Sequence, residues 1–245
     1  MAKKPAWVVE KERRARDTVW LFGLHAVRDA LANPRREKLR LVATKNAADR
    51  LGDLHGLEPE IADPRRFPVP LDPGSVHQGA ALEVRPLDWG PLMERIGGTM
   101  VLLDRVTDPH NVGAILRSAE VFGAVCVVAP SRHSAPETGA LAKAASGALE
   151  RQPYIRAGNL AETILGLRDA GYEVLGMDGE AEEGVETMTD GPVAFVLGAE
   201  GPGLRQRTRE VCSRLVRIDA AGGFGSLNVS NAAAVCLYAA QRRGR

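Results

Sequence analysis

The chain alternates short apolar runs with stretches in which apolar residues recur every three or four positions, and the rhythm strengthens after residue 98. Beyond that point, apolar runs at Thr99–Leu103, Ala124–Ala129, Tyr172–Met177, Val193–Leu197 and Leu215–Ile218 predict strands. Helical spacing falls between most of them, at Val112–Phe122, Leu141–Leu149, Leu160–Ala170 and Leu204–Cys212. Strands that are apolar throughout, rather than on alternate positions, predict a parallel sheet whose two faces are both covered by crossover helices. Ligands of such sheets bind beyond the carboxyl ends of the strands. From Val19 to about Arg85 a smaller α/β pattern is legible, with a helix over His25–Ala32 that stops before Asn33-Pro34 and a strand at Leu39–Ala43. Pro59, Pro64, Pro68, Pro70 and Pro73 then break the chain into loops, and residues 86–97, with Pro86, Pro91 and Gly97, read as a linker. The predicted fold class is α/β, with a disordered basic tail at 1–17, a small domain at 18–85 and a parallel-sheet domain at 98–245.

Composition narrows the class. With 44% apolar and 26% charged residues in 245, the chain has ordinary globular make-up, and no stretch approaches the roughly 18 apolar residues of a membrane span. The first residues lack the apolar core of a secretory signal, which predicts a cytoplasmic protein. Cys126, Cys212 and Cys236 lie far apart in apolar runs with no CxxC pair, so buried thiols are expected and no metal site. Net charge is only +1, yet its distribution is uneven. Lys3, Lys4, Lys11, Arg13, Arg14 and Arg16 crowd the tail against Glu10 and Glu12, and Arg35, Arg36, Lys38 and Arg40 follow Pro34. Such clusters are either solvated surface or phosphate contacts.

Three strand-end loops carry candidate chemistry. The first runs from Asp104 through Asp108-Pro109-His110-Asn111 into a helix whose Val112, Ile115, Leu116, Ala119 and Phe122 share one stripe. At about 100° per residue, Arg117 lies roughly 150° from that stripe and points away from the core. Asp108 or Asn111 can cap the helix. The second is Gly198-Ala199-Glu200-Gly201-Pro202-Gly203-Leu204, which lacks the Lys-Ser/Thr of a phosphate-binding loop and the spacing of a dinucleotide fingerprint. A carboxylate at Glu200 inside such a loop would face a ligand. The third, Gly222-Gly223-Phe224-Gly225-Ser226-Leu227-Asn228, opens an Ala-rich last helix that Ser226 or Asn228 can cap.

In content and order these three loops resemble the SpoU/TrmH family of SPOUT RNA methyltransferases. Phe22-Gly23-Leu24-His25-Ala26-Val27, His77-Gln78-Gly79, Lys143-Ala144-Ala145-Ser146-Gly147-Ala148-Leu149-Glu150 and Asn159-Leu160-Ala161 resemble its subgroup of bacterial 23S rRNA guanosine 2′-O-methyltransferases, and the likeness spans about residues 20–240. It implies a small RNA-binding domain followed by a parallel-sheet domain with a deep trefoil knot. It implies S-adenosylmethionine (SAM) held by Leu197, Gly198, Glu200, Gly201, Ile218, Ser226, Leu227 and Asn228. The implied catalytic set is Asn111, Arg117, Glu200, Ser226 and Asn228, in a homodimer whose partner chain completes the site around Arg117. Phosphate contacts of 23S rRNA fall to Arg35, Arg36, Lys38 and Arg40, with neither a metal nor a membrane involved. Arginine is normally a permanent cation, so electrostatic stabilisation suits Arg117 better than the role of base. The chain departs from the family in having Ile218-Asp219-Ala220 for Ile-Pro-Met and Asn231 for an apolar residue, an acid at the adenosine pocket and a polar group near Asn228. The alternatives are a transfer-RNA methyltransferase, an RNA-binding module without catalysis, and an NAD-linked oxidoreductase that would lack its glycine fingerprint.

Overall fold

A computed structural model describes residues 18–71, 74–222 and 227–243. The basic tail and Ser226 lie outside the described residues. In chain order the elements are β1 (Val19–Phe22), α1 (Leu24–Ala32), β2 (Lys38–Ala43), α2 (Lys45–Leu51), β3 (Pro59–Ile61), β4 (Ala80–Val84), β5 (Thr99–Asp104), α3 (Pro109–Val121) and β6 (Cys126–Pro130). They continue with α4 (Gly139–Ala145), β7 (Tyr154–Ala157), α5 (Leu160–Asp169), β8 (Glu173–Met177), β9 (Val193–Gly198), α6 (Gln206–Val211), β10 (Arg214–Val216) and α7 (Val229–Arg242). Single 3₁₀ turns occur at Leu92–Arg95, Ala148–Glu150 and Val185–Thr187. Two compact units result. Among the described residues, one holds the chain from Thr18 through Asp88 together with Glu137–Glu150, and the other holds Trp89–Pro136 and Arg151 to Arg243.

The first unit is a four-stranded sheet in the order β1-β4-β2-β3, with β4 antiparallel to both β1 and β2 and β3 parallel to β2. Leu21, Leu31, Leu41 and Leu82 form its buried centre. Helix α1 follows Gly23, which has no side chain to cap it; Gln78 Oε1 accepts the Leu24 N–H instead, at 3.0 Å. The Phe-Gly-Leu-His and His-Gln-Gly motifs are therefore two halves of one helix start. Sequence periodicity gives no signal for α2 or β4; each is short and alanine-containing, with strand β4 made by its neighbours rather than by its own pattern.

Segment Glu137–Glu150, assigned by sequence to the second domain, belongs by its contacts to the first unit. Helix α4 packs on β1 so closely that a Cβ at Gly139 would lie 2.4 Å from the Phe22 ring and from the Trp20 carbonyl. The predicted helix over Leu141–Leu149 ends early, because Ser146 and Gly147 take left-handed backbone (φ 50° and 87°) before the 3₁₀ turn.

Arg36 fastens this segment and corrects an expectation. It is not placed for phosphate contact, being only 2% exposed. Its guanidinium donates to both Glu150 carboxylate oxygens (3.0 and 2.5 Å), to the Arg85 carbonyl (2.8 Å) and to Glu137. Asn33 Nδ2 adds a bond to Glu150 at 2.9 Å. Burial pushes the Glu137 carboxyl above its ordinary value while Arg36 pulls it down. A charge cluster this dry holds only while fully paired.

The second unit is the parallel sheet expected from the apolar runs: six strands in the order β10-β8-β9-β5-β6-β7, every pairing parallel. Met100, Leu102, Leu103 and Phe195 of central β5 and β9 are fully buried, as strands covered on both faces must be. Strand β7 was not foreseen in the sequence. Helices α3 and α7 pack on one another, and α7 also touches β5 and β9. The three cysteines are buried free thiols, and burial pushes each up to about 12, so they serve as small apolar side chains.

Candidate active site

The register pairs Asp104 with Gly198 across the carboxyl ends of β5 and β9, so the first two loops leave the sheet side by side. Asp108, not Asn111, caps α3: its Oδ1 accepts the His110 N–H at 2.9 Å, and Pro109 opens the helix. The helix therefore begins three residues before the apolar stripe, which leaves the Asn111 amide free for other partners. Asn228 caps α7 in turn, its Oδ1 accepting from Ser230 N at 2.9 Å and Ser230 Oγ at 2.5 Å. That cap aims the Asn228 amide nitrogen away from its helix. It donates to Glu200 Oε1 at 2.6 Å and to Asn111 Oδ1 at 3.0 Å, while Asn111 Nδ2 donates to Glu200 Oε1 at 3.2 Å. One residue from each predicted loop thus joins a closed triangle of hydrogen bonds. Both amides are oriented by it, and the second oxygen of Glu200 takes no hydrogen bond among the described residues.

The Glu200 loop is held from beneath. Asp104, fully buried, accepts the Arg205 backbone N–H at 3.0 Å and its Nε–H at 2.7 Å. Gly203 N–H closes on the Ala199 carbonyl at 2.9 Å. Gly198 is required by this turn, since a Cβ there would lie 2.2 Å from the Gly203 carbonyl carbon. Sequence reasoning missed Asp104 and Arg205. The available signal was an acid at the end of an otherwise apolar strand, which must find a partner.

A cleft of about 1080 Å³ opens beside the triangle. Leu197, Gly198, Glu200, Gly201, Ile218, Leu227 and Asn228, all expected at a cofactor, line it. Asp219 lines it too, but its carboxylate accepts from Arg217 Nε at 2.7 Å, and Arg217 also donates to the Ala181 and Glu182 carbonyls at 2.6 and 2.5 Å. The acid that departs from the family pattern is thus charge-balanced within the chain. Arg217 was not singled out from sequence.

Arg117 does not join the triangle. It is exposed on α3 and takes no hydrogen-bond or ion-pair partner among the described residues, as its position opposite the buried stripe requires. In the first unit Arg35 and Arg40 are exposed and Lys38 is half-buried. Arg35 donates to the Asp88 carbonyl at 3.1 Å and Arg40 to Glu60 at 2.6 Å.

Comparison with known proteins places this geometry. A family model described as the SpoU rRNA Methylase family matches residues 98–238. A 23S rRNA (guanosine-2′-O-)-methyltransferase RlmB of Photobacterium profundum is 38% identical over 240 residues, covering 91% of this chain and 97% of that protein. Its namesake from Pseudomonas putida is 39% identical over 237 residues, covering 91% and 96%. Among solved structures, an AdoMet-bound rRNA methyltransferase from Sinorhizobium meliloti superposes with a TM-score of 0.77 at 25% identity, covering 96% of this chain and 91% of that one. The SpoU methyltransferase AviRb of Streptomyces viridochromogenes shares the fold, with a TM-score of 0.80 at 24% identity over 96% and 94% of the two chains. The sequence match extends over both units and the structural match over nearly the whole chain, and on these grounds the chain belongs to the SpoU rRNA Methylase family.

Proposed function

We propose that the protein transfers a methyl group from SAM to the ribose 2′-hydroxyl of a guanosine in 23S rRNA, in the cytoplasm and as a homodimer. The observation that carries this reading is the Asn111–Glu200–Asn228 triangle at the edge of the cleft. It brings a residue from each of the three loops to the carboxyl end of a parallel sheet, in a chain whose relatives are named for that reaction. The cleft fits the cofactor in kind. Apolar Leu197, Ile218, Leu227 and Val229 line it alongside the turn backbone of Gly198 to Gly201, the mix of apolar wall and few polar groups that small-molecule sites use. When bound, SAM supplies an electrophilic methyl on a sulfonium.

The chain's own residues have two tasks: to hold the hydroxyl in line and to stabilise its oxygen while the hydroxyl proton passes to solvent. Glu200, fixed by both amides, and the remaining N–H of Asn111 orient the ribose, with Ser226 assigned beside them by the family pattern. Arg117 stabilises the negative charge developing on the hydroxyl oxygen and grips the neighbouring phosphate, as a planar permanent cation does well. It works on the partner's cleft. In support, Arg117 and exposed Val121 (71%) stand four residues apart on one face of α3. Tyr238 (54% exposed) stacks edge-on to Phe122 at 6.0 Å, and Val235 is exposed on α7 as well. An apolar surface of this kind beside an unpaired arginine suits a second copy of the chain. The first unit and the basic tail bind folded RNA through phosphates, with Arg35, Lys38 and Arg40 in that role. A trefoil knot accounts for α7 returning against α3, β5 and β9 after the chain has reached edge strand β10.

The test is incubation with methyl-tritiated SAM and 23S rRNA transcribed without modification. Label recovered as 2′-O-methylguanosine after nuclease digestion supports the reading. Label on a base, or none with SAM bound, refutes it.

A further inference from the structure

We propose that the carboxyl ends of β5 and β6 carry a phosphate clamp for the substrate RNA, formed by Arg105 and Arg132 and separate from the triangle and from Arg117. The inference rests on the RNA methylation reading. Arg105 leaves β5 immediately after Asp104 and is exposed with φ of 62°; His133, next to exposed Arg132, has φ of 59°. Left-handed backbone costs an ordinary L-residue roughly 1–2 kcal/mol, and two basic loops on adjacent parallel strands both adopt it. Strain of this kind clusters where surrounding structure imposes it for a purpose.

The imposing structure is on hand. Ser131 donates through N and Oγ to the Ala157 carbonyl (2.7 and 3.0 Å). Arg156 donates to the carbonyls of Ala135 (2.7 Å) and Ser131 (3.3 Å), and Tyr154 OH adds a bond to Ala135 at 2.7 Å. The Ala135 N–H reaches the Val106 carbonyl at 3.2 Å, tying the β6 loop to the β5 loop. Backbone groups and Arg156 are consumed by this bracing. Arg105, Arg132 and His133 are not: among the described residues their side chains have no hydrogen-bond or ion-pair partner. The nearby acids are engaged, Asp104 by Arg205 and Asp108 by the α3 cap. Two free arginines on braced loops present permanent planar cations to solvent, the chemistry that grips phosphate oxygens. β5 lies between β9 and β6, so the clamp stands one strand from the Glu200 loop, where a strand flanking the target nucleotide must pass.

The test uses Arg105→Gly, Arg132→Ala and the double variant, with unmodified 23S rRNA as probe. Glycine accepts the left-handed backbone freely, so Arg105→Gly removes charge without endangering the fold. Each lost single-strand phosphate contact should flatten the slope of log affinity against log salt by about 0.7, and the double variant by about 1.4. KM for RNA should rise several-fold while calorimetric SAM affinity stays at the wild-type value. A wild-type protein that methylates rRNA, with a double variant of unchanged slope and KM, overturns the clamp alone. A wild-type protein that neither binds nor methylates the rRNA overturns the activity together with the clamp.

Discussion

Arg36→Ala separates the structural role of that arginine from the phosphate contact its sequence neighbourhood suggests. The side chain is 0% exposed, and its partners Glu150 and Glu137 are 4% and 10% exposed. Truncation removes the bonds to Glu150, Glu137 and the Arg85 carbonyl and leaves two carboxylates buried without a cation. Breaking a buried pair from one side costs about 3–5 kcal/mol, which for a unit of roughly a hundred residues lowers the melting temperature by more than about 10 °C. The pH dependence has a definite sign. Burial already holds Glu137 above its ordinary value of 4.5 against the pull of Arg36, and loss of Arg36 raises it further. A carboxyl whose folded pKa exceeds its unfolded one favours folding at pH below the unfolded value and loses that contribution as pH rises through the folded value. The defect of Arg36→Ala should thus be mildest near pH 4.5 and deepen towards neutrality. Urea unfolding of wild type and variant at both ends of that range, followed by far-UV circular dichroism, measures it. A variant with the wild-type midpoint at neutral pH but weakened RNA binding would refute the reasoning and return Arg36 to the RNA surface.

Other expectations follow from the site. Arg117→Ala should keep fold and SAM affinity, because an exposed residue leaves no cavity, while single-turnover methyl transfer falls at least ~10²-fold; a wild-type rate would remove Arg117 from the chemistry. Asn228→Ala loses the α7 cap, worth about 1 kcal/mol, together with its bonds to Glu200 and Asn111, so calorimetry should show weaker SAM binding. Asn228→Asp keeps the cap but sets a carboxylate against Glu200, and equal SAM affinity in it would show that the triangle does not matter. Gly198→Ala drives a methyl group into the Gly203 backbone and should abolish SAM binding, read by calorimetry beside a thermal melt. Val121→Glu, a charge placed in the exposed apolar stripe, should give monomers by light scattering and lose activity without losing SAM binding.

The second unit was the more legible half of the chain. Its central strands are buried on both faces and so show as apolar runs, and all five runs noted in the sequence became strands of one parallel sheet. The missed strand, Tyr154–Ala157, is at the sheet edge and carries Arg156, which blurs its pattern. In the first unit β4 rests on pairing with β1 and β2, and α2 is a seven-residue helix started by Thr44; neither has the length that periodicity needs to be seen. Of the expected site residues, Asn111, Glu200 and Asn228 converge, and the cleft gathers the described cofactor residues.

Sequence alone determined what depends on near neighbours: the strand–helix alternation, the three loops at strand ends, the outward direction of Arg117, and caps at Asp108 and Asn228 among two candidates each. Those properties follow from periods of two to four residues and from turn chemistry, both local. Tertiary structure decided which polar groups meet. Arg36 reaches Glu150 across 114 positions and Asp104 reaches Arg205 across 101. The same long-range pairing joins Glu137–Glu150 to the first unit and leaves Arg36 buried. A charge in a sequence has no burial until the chain folds around it, and burial made one member of a basic cluster, Arg36, a structural tie while its neighbours Arg35 and Arg40 stayed exposed.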